Sequence, residues 1–461
     1  MRGHLSFTVR VGIGFLLLAA GPVLLLSSVE RRSTLRGVGD ESEWTILLYM
    51  NGKNNLEKDA LNSFVQMADV SNGNPKINLV VEMGRPTPSH DPRFGHWSGV
   101  KRFFIRPLSQ PVEGEALMDV GKSGGNTDMG SPQTFSDFIT WGLRQYPAKK
   151  TLLIIWNHGQ GWRIELAASN RAITADFESA INSHSLPAFL DSHGELPIVG
   201  GYRSVSYDGD TGNMLYNHDV ETILRKMQRP LDILGFDTCL MAMMENAYAF
   251  KDVAKLMIGS EEIEPDPGWD YRRAFKPLFD NPQIDKFTLA KALVKAYADT
   301  YDDKANVTLS AVNLDATVTL TSALDSFVLQ ILPKIAIEAK AIRAARSLCS
   351  EYGGGIPTTP FVDLAHFLGT YQNTTTDGAL KRSAEKIQRI IDSSVIADYA
   401  SQTRKDRYGS TGLSIYFPKD YSSFQKDQYH DGYLPKNKLK PVDFVRQTHW
   451  PEFLQEFYKQ P

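Results

Sequence analysis

Two short apolar runs that end in matching polar turns constrain this chain more than any other feature. Leu152-Leu153-Ile154-Ile155-Trp156 leads into Asn157-His158-Gly159-Gln160-Gly161, and Leu231-Asp232-Ile233-Leu234-Gly235-Phe236 leads into Asp237-Thr238-Cys239. Uninterrupted apolar runs of this length read as strands buried on both faces, the pattern of a parallel sheet. Parallel strands present their carboxyl ends along one edge, where ligands bind. His158 and Cys239 are thereby delivered to one edge as a thiol and an imidazole, the pair that makes a nucleophile for acyl transfer.

The surrounding pattern alternates strand and helix. Trp44–Met50 and Ile77–Met83 read as strands, with an amphipathic helix marked by Leu56, Leu61, Phe64 and Met67 between them. Val100–Arg106 alternates like a more exposed strand or hairpin, and Pro132 suits the start of a helix carrying Phe135, Phe138 and Ile139. A helix is expected over Leu240–Phe250, starting directly after Cys239, where its free N–H groups would lower the thiol pKa. The alternation implies an α/β/α sandwich with a largely parallel central sheet. After about Asp285, long helical patterns over 287–301, 315–348 and 380–399 take over, with strands at 308–314 and 411–417 between them. The expected organisation is a leader and linker over 1–38, a catalytic domain over 39–285, and a C-terminal, mostly helical extension over 286–461 that returns strands to the sheet.

Composition excludes several functions. Fifty basic against 53 acidic residues, with no basic block, give no footprint for nucleic acid. Two cysteines, Cys239 and Cys349, cannot build a disulfide framework or a zinc cluster, and pairing them would consume the only placed nucleophile. His-Glu-x-x-His does not occur. At the N-terminus, Arg2, His4 and Arg10 precede an uncharged run from Val11 to Val29, and Arg31, Arg32 and Arg36 follow. This reads as a secretory signal or an uncleaved membrane anchor, and either places the rest of the chain outside the cytoplasmic membrane.

These turns are similar to those of the clostripain family of cysteine peptidases, distant relatives of the caspases. Asn51-Gly52-Lys53-Asn54-Asn55-Leu56, Asn126–Thr134, Ser260–Pro265, Gly268-Trp269-Asp270-Tyr271 and Gly412–Pro418 resemble further patches of that family. The resemblance implies a caspase-like fold and a cysteine endopeptidase, with His158 and Cys239 catalytic and the backbone N–H groups of Gly159 and Cys239 as oxyanion donors. It also implies cleavage after Arg or Lys. Asp237, two residues before Cys239 and so on its face of the strand, is placed to pair with a basic P1 side chain; a second carboxylate would come from Asp266 or Asp270. No third triad carboxylate is forced by the sequence. The interval from His158 to Cys239 exceeds the roughly 50 residues of the caspase type. Its polar stretch from Arg163 offers Arg171 and Arg203 as sites for the internal cleavage by which the family's zymogens mature.

No cofactor is required by this chemistry. Asp208-Gly209-Asp210-Thr211-Gly212-Asn213 resembles a calcium loop in which Asp219 replaces the usual final Glu, so calcium is one candidate ligand. The competing reading of the whole chain is a catalytically inactive clostripain-like fold used as a binding or surface protein.

Overall fold

The computed structural model describes residues 41–121, 127–162, 205–301, 306–353, 360–427, 429–434 and 442–461. The N-terminal leader, Arg171 and Arg203 lie outside the described residues.

The framework is a nine-stranded sheet. Its strands in chain order are β1 (Ser42–Asn51), β2 (Ile77–Arg85), β3 (Gly99–Phe104), β4 (Met118–Val120) and β5 (Ala148–Trp156). After a hairpin of β6 (Val205–Asp208) and β7 (Asn213–Leu215) come β8 (Leu231–Asp237), β9 (Ala254–Gly259) and β10 (Thr308–Asn313). The ninth strand of the sheet is β12 (Val395–Ala400), while β11 (Phe361–Asp363) and β13 (Ser414–Tyr416) pair with each other in a separate two-stranded ribbon. The sheet order is β12-β10-β9-β8-β5-β1-β2-β3-β4. The five strands from β9 to β2 run parallel, and antiparallel strands close both edges.

Strand alternation divides the interior in two. Leu47, Tyr49, Leu153 and Ile155 enter one hydrophobic core, while Ile46, Leu48, Leu152 and Ile154 enter the other. The helices that cover these faces are α1 (Glu57–Val70), α2 (Pro132–Gln145), α3 (Asn217–Leu224), α4 (Met244–Phe250), α5 (Tyr271–Asp280) and α6 (Lys286–Thr300). The later part adds α7 (Thr317–Ile331), α8 (Ile335–Ser347), α9 (Leu364–Thr374) and α10 (Gly378–Ser394). Phe64 of α1, Phe275 of α5 and Leu293 of α6 fill one core, and Phe135 of α2, Phe327 of α7 and Phe367 of α9 fill the other. This is the α/β/α sandwich with a largely parallel sheet that the sequence implied, and residues from both sides of position 285 contribute to each core.

Three elements differ from expectation. The helical pattern over 315–348 is broken at Leu332-Pro333-Lys334 into α7 and α8, because proline cannot continue the hydrogen-bond ladder. The expected helix over 380–399 ends at Ser394, and Val395–Ala400 becomes the edge strand beside β10. Strand β3 is buried rather than exposed, because β4 covers its outer edge.

Candidate functional site

The site is set by register. In the parallel pair β5 and β8, Trp156 stands opposite Asp237. His158 and Cys239 each lie two residues beyond that pair, so neighbouring strands carry them to the same level of the edge. Asn157 N–H extends the ladder by donating to Asp237 O at 3.3 Å. The two turns lie in contact at Gly159: a Cβ there would fall 2.5 Å from Cys239 O and 2.7 Å from Thr238 Oγ1. Only glycine permits this approach, which points the Gly159 N–H at the Cys239 sulfur.

The turn after Cys239 is held open by unusual backbone. Leu240 takes a left-handed φ of 62°, uncommon for a residue with a side chain, and donates to Glu262 O at 3.1 Å. The helix expected directly after Cys239 begins only at Met244, and it is short. That helix therefore does not set its N-terminus against the thiol. Burial pushes its pKa up to about 12, with the nearby Glu264 carboxylate raising it further and the Glu264 and Gly159 N–H groups opposing. Glu264 N donates to Cys239 Sγ at 3.4 Å. The His158 imidazole is pushed down to about 4 by burial. Both members of the pair are uncharged at neutral pH in this state. Cys239 and Cys349 are free thiols.

Beneath Cys239 lies a second cluster. Asp237 is buried and accepts hydrogen bonds from Tyr271 Oη at 2.7 Å and Trp269 N at 3.2 Å. Gly268 packs against it: a Cβ there would fall 2.4 Å from the Asp237 carboxylate. Burial pushes Asp237 up to about 6. The Glu264 carboxyl sits beside it and is pushed up strongly by burial and then by Asp237. Glu264 and Asp237 are hydrogen-bonded to each other, which raises Glu264 and lowers Asp237, and Trp269 is close enough to lower Glu264; beyond these, no donor reaches a Glu264 oxygen in good geometry among the described residues. Trp269 Nε1 and Tyr297 Oη are also buried without partners among the described residues. Such a group of unsatisfied polar atoms marks a place that a polar ligand or water completes.

The remaining acidic candidates are placed differently. Asp270 caps α5, accepting from Arg272 N at 3.0 Å and Arg273 N at 3.2 Å. Asp266 is exposed on the loop before it, close enough to Asp59 and Cys239 to raise both. Glu264 was not singled out by sequence; the signal available was its place in the run Glu261-Glu262-Ile263-Glu264, where three acids flank an apolar residue just after a buried strand.

In the loop resembling a calcium site, a side chain supplies the cation. Lys53 Nζ lies 3.0 Å from Asp208 and 3.3 Å from Asp210, donates to Thr127 O at 2.7 Å, and is fully buried. No group of three or more potential metal ligands occurs among the described residues. A metal ion on Asp208 and Asp210 would have to displace this ammonium.

The fold is shared with cysteine proteases of known structure. The architecture is similar to that of a secreted C11 cysteine protease from Bacteroides thetaiotaomicron in complex with an irreversible peptide inhibitor, at a TM-score of 0.56 and 17% identity over 90% of this chain and 99% of that one. It is also similar to an inactive zymogen C11 protease from Parabacteroides distasonis, with a TM-score of 0.57 and 18% identity over 83% of this chain and 94% of the other. At these identities the likeness concerns the fold. The model of the clostripain family matches residues 48–200 and 189–457, and the chain belongs to that family of cysteine peptidases. Clostripain of Hathewaya histolytica is 26% identical over 264 residues, which are 54% of this chain and 45% of clostripain; the match spans less than half of that relative.

Proposed function

We propose that the chain is an exported cysteine endopeptidase that cleaves after Arg or Lys with His158 and Cys239 as its dyad. The observation that carries this reading is the register of β5 and β8, which sets an imidazole turn on a thiol turn directly above a buried pair of carboxyl groups.

In this reading His158 takes the Cys239 proton as the sulfur attacks the scissile carbonyl carbon. The carbonyl oxygen gains charge in reach of the Gly159 and Cys239 backbone N–H groups. Collapse of the tetrahedral intermediate breaks the C–N bond, and His158 returns its proton to the leaving amine. Water, deprotonated by His158, then attacks the thioester carbon and releases the carboxylic acid and the free thiol. A basic P1 side chain descends past Cys239 to Asp237 and Glu264, where the Glu264 oxygens lack donors from the surrounding structure. Ionising that pair on arrival of the cation offsets its burial.

The N-terminal run from Val11 to Val29 directs export, as a cleaved signal or as an anchor. Self-cleavage at Arg171 or Arg203 converts a zymogen to the active form. Calcium at Asp208 would act only in competition with Lys53.

A fluorogenic panel with Arg, Lys, Asp, Asn and Leu at P1, run with calcium and with chelator, tests the reading. Turnover of Arg and Lys substrates that is lost on alkylation of Cys239 is expected. A protein with no turnover after internal cleavage, in either condition, is the inactive binding protein instead.

A further inference from the structure

The imidazole of His158 has a partner outside the dyad. Its Nε2 lies 2.9 Å from Oδ1 of Asn55, in the turn that follows β1. We infer that Asn55 is a positioning residue for the reaction: its amide oxygen accepts the Nε2 proton of His158 and so leaves Nδ1 as the nitrogen that exchanges a proton with Cys239. This rests on the thiol–imidazole reading above.

The chemistry follows from the hydrogen inventory. An amide oxygen only accepts, and a neutral imidazole carries one proton. A bond to Oδ1 therefore places that proton on Nε2 and keeps Nδ1 basic. The opposite amide orientation, with Nδ2 donating to Nε2, would put the proton on Nδ1 and remove the base.

The turn is built to hold this geometry. Asn51 Nδ2 donates to Tyr207 O at 2.9 Å, and Asn54 Nδ2 donates to the same oxygen at 2.9 Å. Lys53 is fixed by its buried ion pair with Asp208. Asn157, the residue before His158, donates from Nδ2 to Asn51 O and accepts from Tyr207 N at 2.9 Å. The turn bearing Asn55 and the turn bearing His158 are thus stapled to each other and to β6. Asn55 is the exposed member of the run Asn51–Asn55, so its substitution leaves the buried staples in place. A neutral amide at this position orients the ring without stabilising its charged form as a carboxylate would.

The test is a series of Asn55→Ala, Asn55→Asp and His158→Ala, with kcat and KM measured on one P1-Arg substrate from about pH 5 to 10. Asn55→Ala should lower kcat by roughly a hundredfold with KM changed less than about twofold, since a misoriented base affects the chemical step. Asn55→Asp should retain more turnover than the alanine variant. It should also shift the pH limb that reports the imidazole upward by roughly one unit, because an adjacent carboxylate favours imidazolium. An Asn55→Ala kcat within twofold of wild type overturns the inference. A loss in Asn55→Ala combined with an unshifted limb in Asn55→Asp also overturns it, since that is a role in shape alone. If His158→Ala keeps wild-type turnover, the dyad reading itself fails, an outcome distinct from either of these.

Discussion

Asp237 and Glu264 bury two carboxyl groups side by side beneath the Cys239 turn, and the well-formed donors from outside the pair go to Asp237. Both are pushed up by burial, Asp237 to about 6. A folded-state pKa above the ordinary value means that the folded chain holds these protons more tightly than the unfolded chain. Asp237's contribution to stability is therefore full below about pH 4 and is lost as pH rises through about 6, and that of Glu264, pushed up further, is lost at higher pH.

The same groups govern specificity in the proposed reading. Asp237→Asn and Glu264→Gln should each cut kcat/KM for P1-Arg substrates, by an amount equivalent to about 2–5 kcal/mol, and leave P1-Leu substrates much less affected. The ratio of Arg to Leu turnover measures this. For wild type, KM for the Arg substrate should rise as pH falls below about 6, where Asp237 takes up its proton. Unchanged selectivity in both variants would move the pocket elsewhere, with the exposed Asp266 as the next candidate.

The sheet, and the adjacent strand ends that carry His158 and Cys239, were legible in the sequence because apolar runs fix strands. The buried carboxyl pair beneath them was half legible. Asp237 follows from strand alternation, whereas Glu264 sits on a loop, where an acidic residue ordinarily reads as solvated. Asn157 had no evident role in sequence; its contacts to Asn51 and Tyr207 are between segments remote along the chain. The Lys53–Asp208 pair was invisible for the same reason. The edge strand Val395–Ala400 was lost because its apolar residues continue the helical pattern of α10, and only pairing with β10 overrides it.

Lys53 joins the β1 turn, the β6–β7 hairpin and Thr127 through one ammonium. Lys53→Met leaves the Asp208 carboxylate buried and unpaired, and should destabilise the fold by about 3–5 kcal/mol in denaturant titration. Lys53→Met combined with Asp208→Asn should recover a large part of that loss. If calcium restores the single variant's stability and has no effect on wild type, the ammonium occupies a cation position. Equal stability of Lys53→Met and wild type would show that the pair contributes nothing.

Gly159→Ala forces a methyl group onto Cys239 O and Thr238 Oγ1. Overpacking at such a contact costs about 1–3 kcal/mol, so the fold should survive with a lowered Tm. The shift separates the two turns and moves the Gly159 N–H from the sulfur. The expected kinetic result is a fall in kcat of roughly a hundredfold with KM little changed. Activity within a few-fold of wild type would mean that the oxyanion donors lie elsewhere.

The thiol bears on maturation. With Cys239 pushed up to about 12 and no charged imidazole beside it, the intact chain should react slowly with iodoacetamide at neutral pH, speeding up by roughly tenfold per pH unit. Cys349, buried and itself pushed up to about 11, should label only on unfolding, and Cys349→Ala should leave catalysis unchanged. Cleavage at Arg171 or Arg203 should convert the slow reaction at Cys239 into a fast one that no longer follows the thiol's own titration. Mass spectrometry of wild type and Cys239→Ala, paired with labelling rates, checks both steps. Cleavage confined to wild type, with fast labelling only in the cleaved form, is the result expected of a self-processing zymogen. An intact wild-type chain that labels rapidly and turns over substrate would refute that maturation step and leave the dyad assignment standing.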